Sequence, residues 1–122
     1  MPDTDLGIRS PMQNESDIHL IYATFPDMES GRQAGERLIG ARLAACVNMW
    51  PGMVSLYRWE GRVEEGEEIV FLAKTTATRL AEAVAAIREA HPYEEPAIVA
   101  VAAAGGSAGF FDWIRAETQP EG

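Results

Sequence analysis

A chain of 122 residues, 47% of them hydrophobic, has material for one domain with a packed core and little for a second. Ten Lys and Arg against nineteen Asp and Glu leave a formal charge of −9, a field that repels phosphate and argues against nucleic-acid binding. The single cysteine, Cys46, excludes an internal disulfide and any CxxC zinc pattern; with no signal-peptide pattern and no run near the ~20 apolar residues of a membrane helix, a cytoplasmic location is expected.

Residues 1–16, rich in Pro, Asp, Ser and Asn and without an apolar period, are expected to form a flexible tail. A domain is expected over 17–118, with a second short tail at 119–122. Ile18 to Thr24 is an apolar, β-branched run of strand length. Pro26 stops it, and Asp27 is an N-cap for a helix over 28–43, with Ala34, Leu38 and Ala41 on its inner stripe. Ala44 to Trp59 predicts a strand interrupted at Pro51-Gly52. A tight turn at Glu60-Gly61 returns the chain as a second strand over Arg62 to Thr75. The acidic stretch Glu64 to Glu68 suggests a bulge in that strand. Thr76 or Thr78 caps a second helix carrying Leu80, Val84, Ile87 and His91 at helical spacing, and Pro92 ends it. Ala97 to Ala104 is a further strand. After Gly105-Gly106-Ser107 comes a short helix from Phe110 to Glu117.

The order β-α-β-β-α-β plus a terminal helix predicts an α+β, ferredoxin-like sandwich: an antiparallel sheet, both main helices on one face, and a long β-hairpin. Strands Ile69 to Ala73 and Ile98 to Val101 are apolar on both faces, so something must cover the second face. The terminal helix is too short to cover all of it. Tyr57 and Trp59 near the hairpin tip would be exposed aromatics in a lone chain. Self-association is therefore expected.

Leu43-Ala44-Ala45-Cys46-Val47-Asn48, Pro51-Gly52, and Ser55-Leu56-Tyr57-Arg58-Trp59-Glu60-Gly61 resemble the CutA divalent-cation-tolerance family. So do Lys74-Thr75, His91-Pro92-Tyr93 with Pro96, Thr24-Phe25-Pro26-Asp27 and Trp113-Ile114, over about Ile18 to Glu117. The resemblance implies a non-enzymatic homotrimer linked to tolerance of divalent metals, copper among them, and distantly similar in shape to PII nitrogen-signalling proteins. Where copper-associated members can carry a cysteine and a second histidine, this chain has Ala23 and Ala90; His91 is the metal-ligand candidate that remains. Phe110 stands where many members have Tyr.

Other candidates have plainer readings. Cys46 among Ala44, Ala45 and Val47 is expected to be a buried small hydrophobe. Lys74 is expected in an ion pair at a subunit junction, with Glu60 or Glu94 as partners. Gly105 to Gly109 lacks the lysine of a phosphate loop and reads as a turn. The expected ligand site is an inter-subunit cleft lined by Tyr57, Trp59, Glu60, Lys74, Tyr93 and Glu94, together with His91. A PII-like sensor of a small anion in the same clefts is the alternative. An enzyme would need Lys74, His91 and a carboxylate within reach of one another.

Overall fold

The computed structural model describes residues 17–120, and the expected tail at 1–16 and the last two residues of the expected C-terminal tail lie outside them. Seven elements follow in order: β1 (Ile18–Phe25), α1 (Met28–Gly40), β2 (Cys46–Trp59), β3 (Arg62–Thr76), α2 (Ala77–Ala90), β4 (Ile98–Ala102) and α3 (Ala108–Glu117). The strands form one antiparallel sheet in the order β2-β3-β1-β4, the arrangement that two split β-α-β units produce.

Period-two alternation sorts the sheet residues. Ile21, Ala23 and Phe25 of β1 and Ile69, Phe71 and Ala73 of β3 pack with Ala34 and Leu38 of α1 and Ala83, Ala86 and Ile87 of α2. Residues of the other parity face away from these helices. There α3 covers one end of the sheet, burying Phe111 and Ile114 against Ile18. Arg115 of α3 forks onto both carboxylate oxygens of Asp17 at 2.8 and 3.0 Å, which ties the helix to the start of β1 and holds the guanidinium above its ordinary pKa.

The element ends follow from local chemistry. Asp27 caps α1 by accepting the Ser30 backbone N–H at 2.8 Å, which lowers the carboxyl below its ordinary value. That helix stops at Gly40, earlier than the periodicity suggests, because Arg42 turns into the left-handed region at φ 59°. Ala41, expected on the inner stripe, is exposed; Gly31 and Gly35 take the buried positions instead. The expected bulge is also on the other strand. Glu64 to Glu68 pair regularly with Tyr57 to Met53, and the register shift falls on β2 between Trp50 and Met53, where Pro51 cannot donate to the ladder. Glu60 (φ 50°) and Gly61 (φ 81°) give the two consecutive left-handed residues of a type I′ hairpin turn.

β1 pairs with β3 only as far as Phe25 opposite Ile69. Residues 62–68 of β3 therefore have β2 as their one neighbour. The hairpin continues past the sheet as a two-stranded arm roughly 20 Å long. Val54, Leu56 and Val63 line one side of the arm, Tyr57 and Trp59 the other, and all five are exposed.

Candidate functional site

The residues expected to share one cleft fall into two groups within a chain. The first lies where the arm leaves the sheet. His91, at the C-cap of α2, is buried to 7% exposure and stacks on Phe25 with ring centroids 4.3 Å apart. Its Nε2 is 2.6 Å from the Thr24 carbonyl oxygen, which can only accept, so Nε2 carries the proton. Its Nδ1 accepts the Tyr93 backbone N–H at 3.1 Å. The ring is thus the neutral Nε2–H tautomer with both nitrogens engaged by backbone.

Tyr93 packs its ring against His91 at 4.9 Å. Its hydroxyl is pushed above the ordinary tyrosine value, first by partial removal from water, then by the negative charges of Glu68, Tyr57 and Asp27. Glu68 in turn accepts a hydrogen bond from Ser55 Oγ at 3.0 Å. Tyr57, Glu68, Tyr93 and Asp27 therefore form one polar neighbourhood at the root of the arm. From sequence Asp27 is expected as an N-cap and Glu68 as part of an acidic strand segment, neither as a residue of the cleft. Their proximity comes from the β2–β3 register and from the β1–α1 turn folding over the loop after α2, neither of which has a signal in residue spacing.

The second group is at the opposite end of the sheet, on the face away from α1 and α2. Lys74 stands opposite Cys46 on one side and Leu20 on the other. Its ammonium donates to Asn48 Oδ1 and lies 3.7 Å from Cys46 Sγ. Lys74 lies six residue steps along β3 from Glu68, roughly 20 Å. Within one chain the partner of Lys74 is Asn48, two residues along the neighbouring strand. Trp59 and Glu60 sit farther still, at the arm's tip, and Glu94 is exposed in the loop after α2. One chain thus does not bring Lys74, His91 and a carboxylate together.

Both ring nitrogens of His91, the metal-ligand candidate, are engaged by backbone within the chain. Among the described residues, no three His, Cys, Asp or Glu side chains converge as a metal site. Cys46 is half-buried rather than sequestered. A hollow of about 200 Å³ lies between the start of α2 and Arg115, and a shallow groove of about 420 Å³ between α1 and β2, lined by Val47 and Met49. Neither is lined by the residues expected from sequence.

The sheet face away from α1 and α2 is apolar over most of its width. Val99 and Val101 of β4 are 56% and 52% exposed, and Trp50 is 48% exposed. Beyond it, Phe110 and Trp113 of α3 stack at 5.8 Å, also exposed. Among the described residues, no helix is long and apolar enough to cross a membrane.

Comparison with known proteins places these features. The sequence profile described as "CutA1 divalent ion tolerance protein" matches residues 19–117. A divalent-cation tolerance protein CutA from Thermus thermophilus is 39% identical over 99 residues, covering 81% of this chain and 96% of that one. A chloroplastic CutA protein from Arabidopsis thaliana is 32% identical over 100 residues; this chain spans 55% of its length. The crystal structure of CutA from Xylella fastidiosa superposes with a TM-score of 0.82 at 39% identity, covering 85% of this chain and all of that one.

Proposed function

Since the chain belongs to the CutA1 divalent ion tolerance family, we propose that it acts as a non-enzymatic homotrimer in the cellular response to divalent metal ions such as copper. The observation that carries the reading is the uncovered apolar sheet face, continued along an arm where Tyr57 and Trp59 are 49% and 61% exposed. A lone chain leaves that surface in water; packing copies around it removes the apolar area and gives the arm a partner to rest on. Assembly also creates clefts that join what one chain keeps apart. The Lys74–Asn48–Cys46 end of one copy and the Tyr57–Tyr93–Glu68 end of another are then available to one ligand. The absence of a convergent donor set within the described residues favours metal contact at such clefts over a centre built by one chain. The lone thiol fits a reducing compartment, and we place the protein in the cytoplasm.

Light scattering tests the assembly. A mass three times the 13.3 kDa of one chain is expected, and a stable single-chain mass overturns the reading. For the metal link, cells lacking the protein are expected to grow worse as copper or zinc rises. Sensitivity equal to that of the parent cells overturns it.

A further inference from the structure

We propose that Met49 is a peroxide-sensitive switch: while its thioether is reduced it seats helix α1 on strand β2, and once the sulfur carries an oxygen the helix comes loose. The switch is local to one chain and rests neither on the assembly nor on the metal link proposed above.

Met49 faces the helices, opposite Phe71 in the β2–β3 ladder. Its side chain lies along α1. A Cβ at Gly31 would stand 3.3 Å from Met49 Sδ, and one at Gly35 3.4 Å from its Cε methyl. The two glycines are one turn apart on the same face of the helix, and together they leave a slot for the thioether. The rest of the slot is hydrocarbon: Ile69 Cδ1 and the Phe25 ring meet it at the Gly31 end, Val47 at the Gly35 end. The Gly31 N–H is already given to the Asp27 carbonyl at 3.3 Å, and that of Gly35, inside the helix, to the turn before it. None of these groups can donate to an oxygen on the sulfur.

The sulfur is nevertheless open to attack. Met49 is half-buried and lines the groove between α1 and β2, whose rim carries Arg32 and Glu36. The co-reactant is a hydroperoxide, and the step is a two-electron oxygen transfer. A sulfur lone pair attacks one peroxide oxygen and the O–O bond breaks. The leaving hydroxide takes the proton from the transferred oxygen, so the products are the sulfoxide and water. The thioether is oxidised, the peroxide reduced, and an apolar side chain has become a polar one. Kept in the slot, the new oxygen is buried without a donor. Swung outward, it reaches water at the groove rim but empties the space between the glycines and the sheet. Either way α1 loses its seat on β2. Met53 differs: its sulfur already accepts the Tyr22 hydroxyl at 3.6 Å, a donor that a sulfoxide there can keep. The loosened helix begins beside Asp27, in the polar neighbourhood of Tyr93 and Glu68, so oxidation in the groove is felt at the root of the arm.

The test is hydrogen–deuterium exchange of the full-length protein before and after brief treatment with hydrogen peroxide, with peptide mass spectrometry to place each added oxygen. Oxygen is expected on Met49. Exchange of the α1 amides from Gly31 to Leu38 should quicken about tenfold while Ile21 in the sheet is unchanged. Methionine sulfoxide reductase should restore the slow exchange. A thiol reductant that restores it without the reductase places the change at Cys46 and overturns the proposal. So does a Met49 that takes up oxygen without quickening α1, or one that stays reduced while Met28 and Met53 are oxidised. Met49→Leu keeps the apolar volume and removes the sulfur, so its α1 exchange should not respond to peroxide. If it still responds, another residue is the cause and the switch is wrong. Should Met49→Leu fail to fold, the reductase experiment on the unaltered protein decides.

Discussion

Tyr93 is the residue at which burial and charge act in the same direction. Its ring rests on His91, its hydroxyl is partly removed from water, and Glu68, Tyr57 and Asp27 surround it with negative or potentially negative oxygen. Each influence penalises the phenolate, so the folded-state pKa lies above the ordinary tyrosine value of 10.0. A raised pKa means that folding favours the protonated form. The corresponding stability is complete below pH 10.0 and is lost as pH rises through the higher folded-state value. Replacing Glu68 with Gln removes one charge but keeps an oxygen for Ser55. The Tyr93 pKa, followed by its ring NMR shifts, should then move down toward the ordinary value without reaching it, because partial desolvation is the larger cause. A pKa unmoved in Glu68→Gln would show that Glu68 and Tyr93 do not interact. The same residues illustrate what a sequence can and cannot offer at this scale. His91-Pro92-Tyr93 is visible as a motif, but the direction in which His91 spends its two nitrogens depends on Thr24, 67 positions away.

At the scale of elements, α3 shows how one small residue sets the position of a helix. Gly106, just before it, has the Phe111 ring so close that an added Cβ would sit 2.7 and 2.9 Å from ring carbons. A planar ring pinned against Ile18 and Ile114 cannot swing aside as a flexible side-chain end would. Gly106→Ala should therefore cost about 1–3 kcal/mol by forcing α3 off the sheet. Gly109, inside the helix, faces open space, and Gly109→Ala should gain up to about 1 kcal/mol from helix propensity. Urea denaturation of the two variants should move the midpoints in opposite directions, and a shared direction would contradict this packing. Element order, the hairpin turn and the covered end of the second face were all legible from periodicity and from Glu60-Gly61, because these are local signals. The bulge was misplaced because four glutamates around Gly66 look like a broken strand, yet an exposed arm carries charge on both faces without losing register. The break instead fell at Pro51-Gly52, which the sequence does mark. The end of α1 was set late because Arg42 in the left-handed region is a conformational event that apolar spacing does not register.

At the scale of the whole molecule, the decisive feature is what the fold leaves uncovered. Most of the sheet face away from α1 and α2 is apolar, and Lys74 on it is already bonded to Asn48. Apolar strands predicted that this face would need a cover. The register shows that, among the described residues, α3 covers this face no farther than the Ile18 end. The proposed cleft is legible to the same degree: its residues were named from the sequence, but one chain divides them between the two ends of the sheet. Val101 is the position at which to test this. It lies on β4, at the sheet edge, facing away from the helices opposite Leu20, and is half exposed, so a polar side chain there costs a single chain little. Buried between copies, an Asp would have no cation to meet and would pay a desolvation cost of several kcal/mol in each copy. Each chain already carries a formal charge of −9, so added carboxylates also strengthen the repulsion between copies. Val101→Asp should therefore reduce the light-scattering mass to that of one chain while leaving the far-ultraviolet circular dichroism unchanged. Added salt should partly restore assembly by screening the repulsion, without repaying the buried charge. A trimer that persists in Val101→Asp at low salt would remove this face from the interface and leave the arm alone to hold the copies together.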